Sequence, residues 1–359
     1  MAVDSGRELA SIQYLRGIAA MMVVLFHADH QLAKMDAQIG LIALRSGVDI
    51  FFVISGFVMW VSTSRSPERT AVQFMRDRII RIVPLYWAVT FFVASVAFLV
   101  PTAMQSTRFD PPLILASLFF IAWPNQTMGG YAPLVIAGWT LNLEMFFYTL
   151  FTLAMLVTRN RTSRFVLLVG MIVLACGAAT LLPGLPPQVR FYGDDVILEF
   201  AFGLGLGWVW LNAPARTSAL WWIVCLAGFA LLSPGSQLTE LPRALTFGVP
   251  ALMIVAGAIF APAFRFPALH FLGDSSYSLY LTHAIVLSLV SQVVRRVLPE
   301  HLQPFVFVPL AIAASVFAAW IAYRLFERPV TRLAKQLLGG GTAKAQQALV
   351  EARPEGQSS

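Results

Sequence analysis

Charge is what this 359-residue sequence has least of. Lys, Arg, Asp and Glu make up 12% of it, about half the share found in an ordinary soluble chain. Hydrophobic residues account for 58% and the mean hydropathy is +0.73, so the polar groups cannot cover the surface and the solvent must be lipid. That excludes a soluble enzyme, a nucleic-acid-binding module and a disordered tail protein. Cysteine is nearly absent as well. Cys176 and Cys225 both sit inside apolar segments, which excludes a disulfide framework and offers no metal-ligand spacing. The net charge of +7 lies in short loops between apolar runs, where membrane topology accounts for it before nucleic acid does. The N-terminus lacks the basic cluster of a cleaved leader. Asp4, Arg7 and Glu8 precede the apolar stretch 17–26 and no small-x-small site follows His27, so a retained first transmembrane helix is expected.

What is present is a series of apolar runs at 11–28, 47–63, 79–100, 134–157, 165–182, 195–211, 217–232, 244–262, 275–292 and 304–325. A spanning helix needs roughly 20 residues, with a floor near 17. Another run, 112–123, has only 12 residues between prolines and reads as re-entrant or interfacial. Loop charge supports that reading. With a cytoplasmic N-terminus and ten crossings, Arg65, Arg69, Arg76, Arg78, Arg159, Arg161, Arg164, Arg216, Arg265, Arg328, Arg332 and Lys335 all fall inside. Lys34, Arg45, Arg108, Arg190, Arg243, Arg295 and Arg296 remain outside, and the Arg295–Arg296 pair is unexplained by the rule. Counting 112–123 as a crossing would put Arg159, Arg161 and Arg164 outside. The expectation is an all-α integral membrane protein of about ten transmembrane helices, with one membrane domain at 1–335 and a flexible cytoplasmic tail at 336–359. No internal repeat is visible, which disfavours repeat-built transporter folds.

Ionisable residues inside such runs are expensive in lipid and are functional candidates by default. Arg16 and His27 are 11 residues apart, three helical turns, so they share a face about 16 Å apart along the axis. The plainer alternative is that Arg16 snorkels and His27 is interfacial. Glu144 lies mid-run, where a carboxylate must be protonated, paired or facing a wet cavity; a structural pairing with Arg16 is the plain alternative. His283 is mid-run too, as a base or as a hydrogen-bonded packing residue. Asp49 opens the second run and also suits a helix N-terminus. Glu199 is ambiguous, and Gly203, Gly205 and Gly207 after it read as close helix packing, not a nucleotide loop. Arg76, Arg78 and Arg81 form a basic cluster at a membrane surface. Arg78 and Arg81 lie on one helical face, suited to phosphate or, more simply, to topology and lipid headgroups.

Together these residues resemble a family. Leu15-Arg16-Gly17-Ile18-Ala19-Ala20 with His27, the stretch 47–57 with Asp49, and Arg78-x-x-Arg81 are similar to the ordered motifs of the membrane acyltransferase-3 family. The stretch 139–148 with Glu144, Gly273 with 276–281 and His283, and Glu327-x-Pro329 continue the series to residue 329. The form around Glu144 looks like that of the bacterial exopolysaccharide acetyltransferase subgroup. Gln13 stands where the family often has aspartate, which leaves that position's role open. The resemblance implies a bacterial inner-membrane enzyme, both termini cytoplasmic, with acyl-CoA (acetyl-CoA) as co-substrate and no permanently bound cofactor or metal. The acceptor would be a hydroxyl of a polysaccharide or lipid-linked sugar, and there is no room for the extracytoplasmic hydrolase-like domain of some members. His27 would act as base or transient acyl carrier, Arg16 would steady the thioester and Glu144 would pair with His27 or orient the acceptor. Arg78, Arg81 and Arg76 would hold the donor phosphates, with Asp49 and His283 in support. The rival readings are a transporter or flippase of a lipid-linked sugar, and a non-catalytic subunit of a polysaccharide export complex.

Overall fold

In lipid every backbone N–H and C=O has to find its partner within the chain, which leaves helices as the natural element for long apolar runs. The computed structural model describes residues 5–103, 107–127, 129–213, 217–238, 240–262, 264 and 266–338, and every regular element among them is helical. In order these are α1 (Ser5–Leu32), α2 (Gly47–Ser64), α3 (Ala71–Leu99), α4 (Pro111–Leu118), α5 (Gly138–Val157), α6 (Arg161–Leu181) and α7 (Pro187–Tyr192). They continue as α8 (Leu198–Asn212), α9 (Trp221–Gly235), α10 (Val249–Phe260), α11 (Pro267–Asp274), α12 (Ser276–Val297) and α13 (Gln303–Ala322). A π-helical turn, Tyr323–Glu327, carries the last helix on as far as Leu338. The helix therefore passes the expected domain end at 335; residues 339–359 of the expected tail, like Arg216 and Arg265, lie outside the described residues.

Among the described residues, seven helical segments are long and apolar enough to cross a membrane. Helices also form on the other three expected runs, but α8, α9 and α10 have only 15, 15 and 12 residues. The reasons are local. Asp194 accepts from the Val196 amide and starts a 3-10 turn where the run at 195 was expected to be helical. Pro234 sits at the end of α9, and the first turn of the run at 244 is π-helical, Ala244–Gly248. The 112–123 run forms only α4, 8 residues or about 12 Å, capped by Asp110. The chain after α4 turns through Phe120 at φ 58° and is pinned by the Tyr192 hydroxyl, which donates to the Phe120 carbonyl at 2.7 Å.

The bundle closes where side chains are smallest. A methyl group added at Gly203 would lie against the Val53 carbonyl, and one at Gly56 against that of Phe200, so α2 and α8 meet backbone to backbone. Gly207 packs on Trp60, whereas Gly205 faces open space, so two of the three glycines flagged in the sequence carry the contact. Likewise Gly273 of α11 packs on the Gln13 backbone of α1, and Gly17 on Leu272. These crossings fix α1, α2 and α11 around one hollow.

Candidate active site

That hollow is a cavity of about 460 Å³ bounded by α1, α2, α3, α5, α11 and α12. Arg16, Arg78, Arg81 and Glu144 all line it, so four charged residues from three separate motifs face one space. Its apolar lining includes Phe51, Phe52 and Met59.

At one end, Arg81 is ion-paired to Glu327 of the π-helical turn. Glu327 is 2% exposed and its other oxygen accepts from the Ser278 hydroxyl at 2.5 Å. Next to Ser278, Tyr277 lies under the Arg81 guanidinium at 5.5 Å and donates to the Ile82 carbonyl at 2.7 Å. Three motifs far apart in sequence are thus tied into one knot. Arg78 is different: its guanidinium lies 6.0 Å from the ring centres of Phe74 and Tyr148, and it pairs with no carboxylate among the described residues. Arg76 points elsewhere, donating to the Leu338 carbonyl at 2.7 Å, and does not line the cavity.

Deeper in, Arg16 donates to Gln13 at 2.9 Å, and Gln13 donates in turn to Asp274 at 2.8 Å. An amide can accept from one side and donate to the other. An aspartate at 13 would instead face the Asp274 carboxylate, so Gln13 suits this chain's own α11. Glu144 accepts from Ser55 at 3.0 Å and from the Tyr148 hydroxyl at 2.5 Å. It contacts neither His27 nor Arg16 within hydrogen-bonding distance among the described residues, so both expected pairings give way to a hydroxyl pair.

Beyond Phe51 and Tyr280, which close the other end of the cavity, two histidines meet. The rings of His27 and His283 are 4.9 Å apart, with His283 Nε2 3.3 Å from His27 Nδ1. His283 is 1% exposed and its Nδ1 lies 2.6 Å from the Tyr280 carbonyl; His27 Nδ1 lies 2.9 Å from that of Val23. Carbonyls only accept, so both Nδ1 atoms carry protons in this arrangement. The single His27 Nδ1–H is then shared between the Val23 carbonyl and, at the longer distance, His283 Nε2, and His27 Nε2 keeps a free lone pair. The sequence marked both histidines but gave no sign of their pairing, since they lie 256 residues apart.

Asp49 belongs to another layer. It is fully buried and takes a two-pronged ion pair from Arg243 at 2.8 and 2.9 Å, with Arg243 stacked 5.7 Å above the Trp139 ring. Glu199, also fully buried, abuts Gly248 of the neighbouring π-helical turn. Neither lines the cavity. Arg243 was read only as loop charge, and nothing in its local sequence points to Asp49.

Comparison with known proteins places these features in context. The acyltransferase family profile, described as an acyltransferase domain, matches residues 9–324. The exopolysaccharide production protein ExoZ of Rhizobium meliloti is 33% identical over 304 residues, 80% of this chain and 89% of ExoZ. The peptidoglycan O-acetyltransferase OatA of Listeria monocytogenes is 25% identical over 91% of this chain, which spans 56% of OatA's length. The O-acetyltransferase OatA of Staphylococcus aureus is 23% identical over 91% of this chain and 58% of its own length. No solved structure matches the chain.

Proposed function

The chain belongs to this acyltransferase family, and from that premise we propose that it moves an acetyl group from acetyl-CoA to a hydroxyl of a cell-surface or exopolysaccharide sugar. The observation that carries the reading is the cavity that gathers Arg16, Arg78, Arg81 and Glu144, with the His27–His283 pair behind Phe51 and Tyr280 at one end. Proteins named for exopolysaccharide production and for peptidoglycan O-acetylation support the acceptor class.

In this scheme the protein sits in a bacterial inner membrane with both termini cytoplasmic and ten crossings. Arg78, which has no carboxylate partner among the described residues, holds a donor phosphate at the cytoplasmic mouth. The pantetheine arm follows the cavity past Arg16, whose charge steadies the thioester oxygen as negative charge develops there. His27 Nε2 takes the proton of the sugar hydroxyl as its oxygen attacks the thioester carbon. The C–S bond breaks, an ester C–O bond forms, and the proton passes to the departing CoA thiolate. Glu144 orients reactants through Ser55 and Tyr148.

The test is free CoA release by purified protein given acetyl-CoA and a polysaccharide precursor. A transporter or flippase would move its cargo and release none, and absence of release would overturn the proposal. Two more outcomes follow. Arg78→Ala is expected to raise the apparent KM for acetyl-CoA by about 10- to 100-fold, the worth of one charge-assisted contact. Arg78→Lys should recover only part, because the point charge remains and the fork is gone; full recovery would remove Arg78 from the donor site. For topology, Arg159→Cys should react with an impermeant maleimide only from the cytoplasmic side. Reaction from outside intact cells would show that the chain around α4 crosses the membrane.

A further inference from the structure

A second and larger hollow, about 930 Å³, lies on the far side of the Asp49–Arg243 pair. It shares no lining residue with the donor cavity, yet only one layer of side chains separates them. Val48 and Thr140 line the first cavity, while the residues next to them, Asp49 and Trp139, hold Arg243, which lines the second. The two spaces therefore approach each other across the Asp49–Arg243–Trp139 layer.

The chemistry of this vestibule is mixed. Arg45, Arg190 and Arg243 are balanced by Asp194, Asp195 and Glu240, so the lining carries no net formal charge. That argues against a phosphate or nucleotide, which would need an excess of cations. The Tyr131 ring offers a flat apolar face, and Arg45 lies 4.7 Å over the buried Phe247 ring with its Nε unpartnered. Burial pushes the Asp194 carboxyl above its usual range, against the Val196 amide that it accepts from, and Asp195 beside it adds to the rise. Donors and acceptors of both kinds set around an apolar face suit a neutral ligand that is polyhydroxylated on its edges and apolar on its flats.

We infer that this vestibule seats pyranose units of a neutral acceptor glycan, and that the Asp49–Arg243–Trp139 layer is the partition its reacting hydroxyl has to approach. The inference rests on the acyl-transfer reading, since only an acceptor makes sense opposite the donor cavity. The volume lies within the range of roughly 300–1,000 Å³ usual for small-molecule sites.

The experiment uses the full-length protein with Cys176→Ala and Cys225→Ala, and one probe cysteine, Ser236→Cys, on the vestibule wall. An impermeant maleimide is applied to outward-facing spheroplasts, with and without single repeat-unit oligosaccharides from the cell's base-deacetylated surface polysaccharide. The expected result is outside labelling that the oligosaccharide slows. Adding Arg190→Ala, an exposed rim change that leaves the buried pair intact, should raise the oligosaccharide concentration needed by about tenfold or more, one charge-assisted hydrogen bond. With acetyl-CoA present, Arg190→Ala should raise the apparent KM for the glycan and leave that for acetyl-CoA alone. Labelling at the same rate with and without glycan, or labelling only from the cytoplasmic side, overturns the inference. Protection needs no acyl donor, so the two readings fail separately. CoA release without protection removes the glycan seat alone, and protection without CoA release removes the transfer chemistry alone.

Discussion

Replacing His27 with alanine is expected to lower acetylation of the glycan by about 10²- to 10⁴-fold, the range that a positioned base contributes, while membrane insertion and abundance persist. The ring is half-buried and its hydrogen bonds are to Val23 and His283, so its loss should leave the helix packing in place. His283→Ala should act on the same step more weakly. It removes the acceptor that turns His27 Nδ1–H, so kcat falls while the KM for acetyl-CoA holds. His283→Gln, whose carbonyl can accept the same hydrogen bond, should recover part of that loss. A purely structural role for His283 would not distinguish Gln from Ala in this way. Ester content of the glycan and CoA release report both variants. Near wild-type acetylation in His27→Ala would remove the base from the scheme.

The second large effect is on stability. Arg81→Ala is expected to destabilise the protein by about 3–5 kcal/mol, because it strands the buried Glu327 carboxylate with Ser278 alone. Glu327→Ala should cost less, since Arg81 is 32% exposed and can turn toward water. The double variant should be more stable than Arg81→Ala by itself. Thermal unfolding in detergent measures all three. If the two single losses simply added, the pair would not be coupled and the knot at this end of the cavity would be incidental. The same cycle separates Arg81 from Arg78, whose removal should change donor KM with little change in Tm.

How much of this was legible in the sequence depends on what kind of signal each residue gives. Arg16, Arg78, Arg81 and Glu144 stood out because charge inside or beside an apolar run is costly, and the structure brings all four to one cavity. Pairing was not legible. Glu327 was part of a motif, but its contact with Arg81 spans 246 residues, and Arg243 looked like a loop charge while its partner Asp49 lies 194 residues earlier. Arg76 carried the same local signal as its neighbours yet points out of the cavity, because helical rotation separates it from Arg78. Run length located the ten longer helices but neither α7 nor α11, and it overstated α8 and α10, where an aspartate cap and a π-helical turn decide the ends. Gln13 looked like a lost acid until Asp274 was found to supply the carboxylate.

The layer of Asp49, Arg243 and Trp139 has an electrical consequence. On the proposed topology the two hollows would approach from opposite faces and short-circuit most of the bilayer's thickness, so the transmembrane voltage would fall mainly across whatever lies between them. Carrying one elementary charge over that drop costs or yields about 2.3 kcal/mol per 100 mV. Asp49 and Arg243 cancel each other there, so the layer itself feels little net force. An acetyl group has no charge, and the phosphates of its carrier stay on the side where they bound. On the proposed acetyl-CoA route, passing the group through this insulator would therefore be indifferent to membrane potential, and the direction of transfer would be set by the chemistry of the thioester and not by the energised state of the cell.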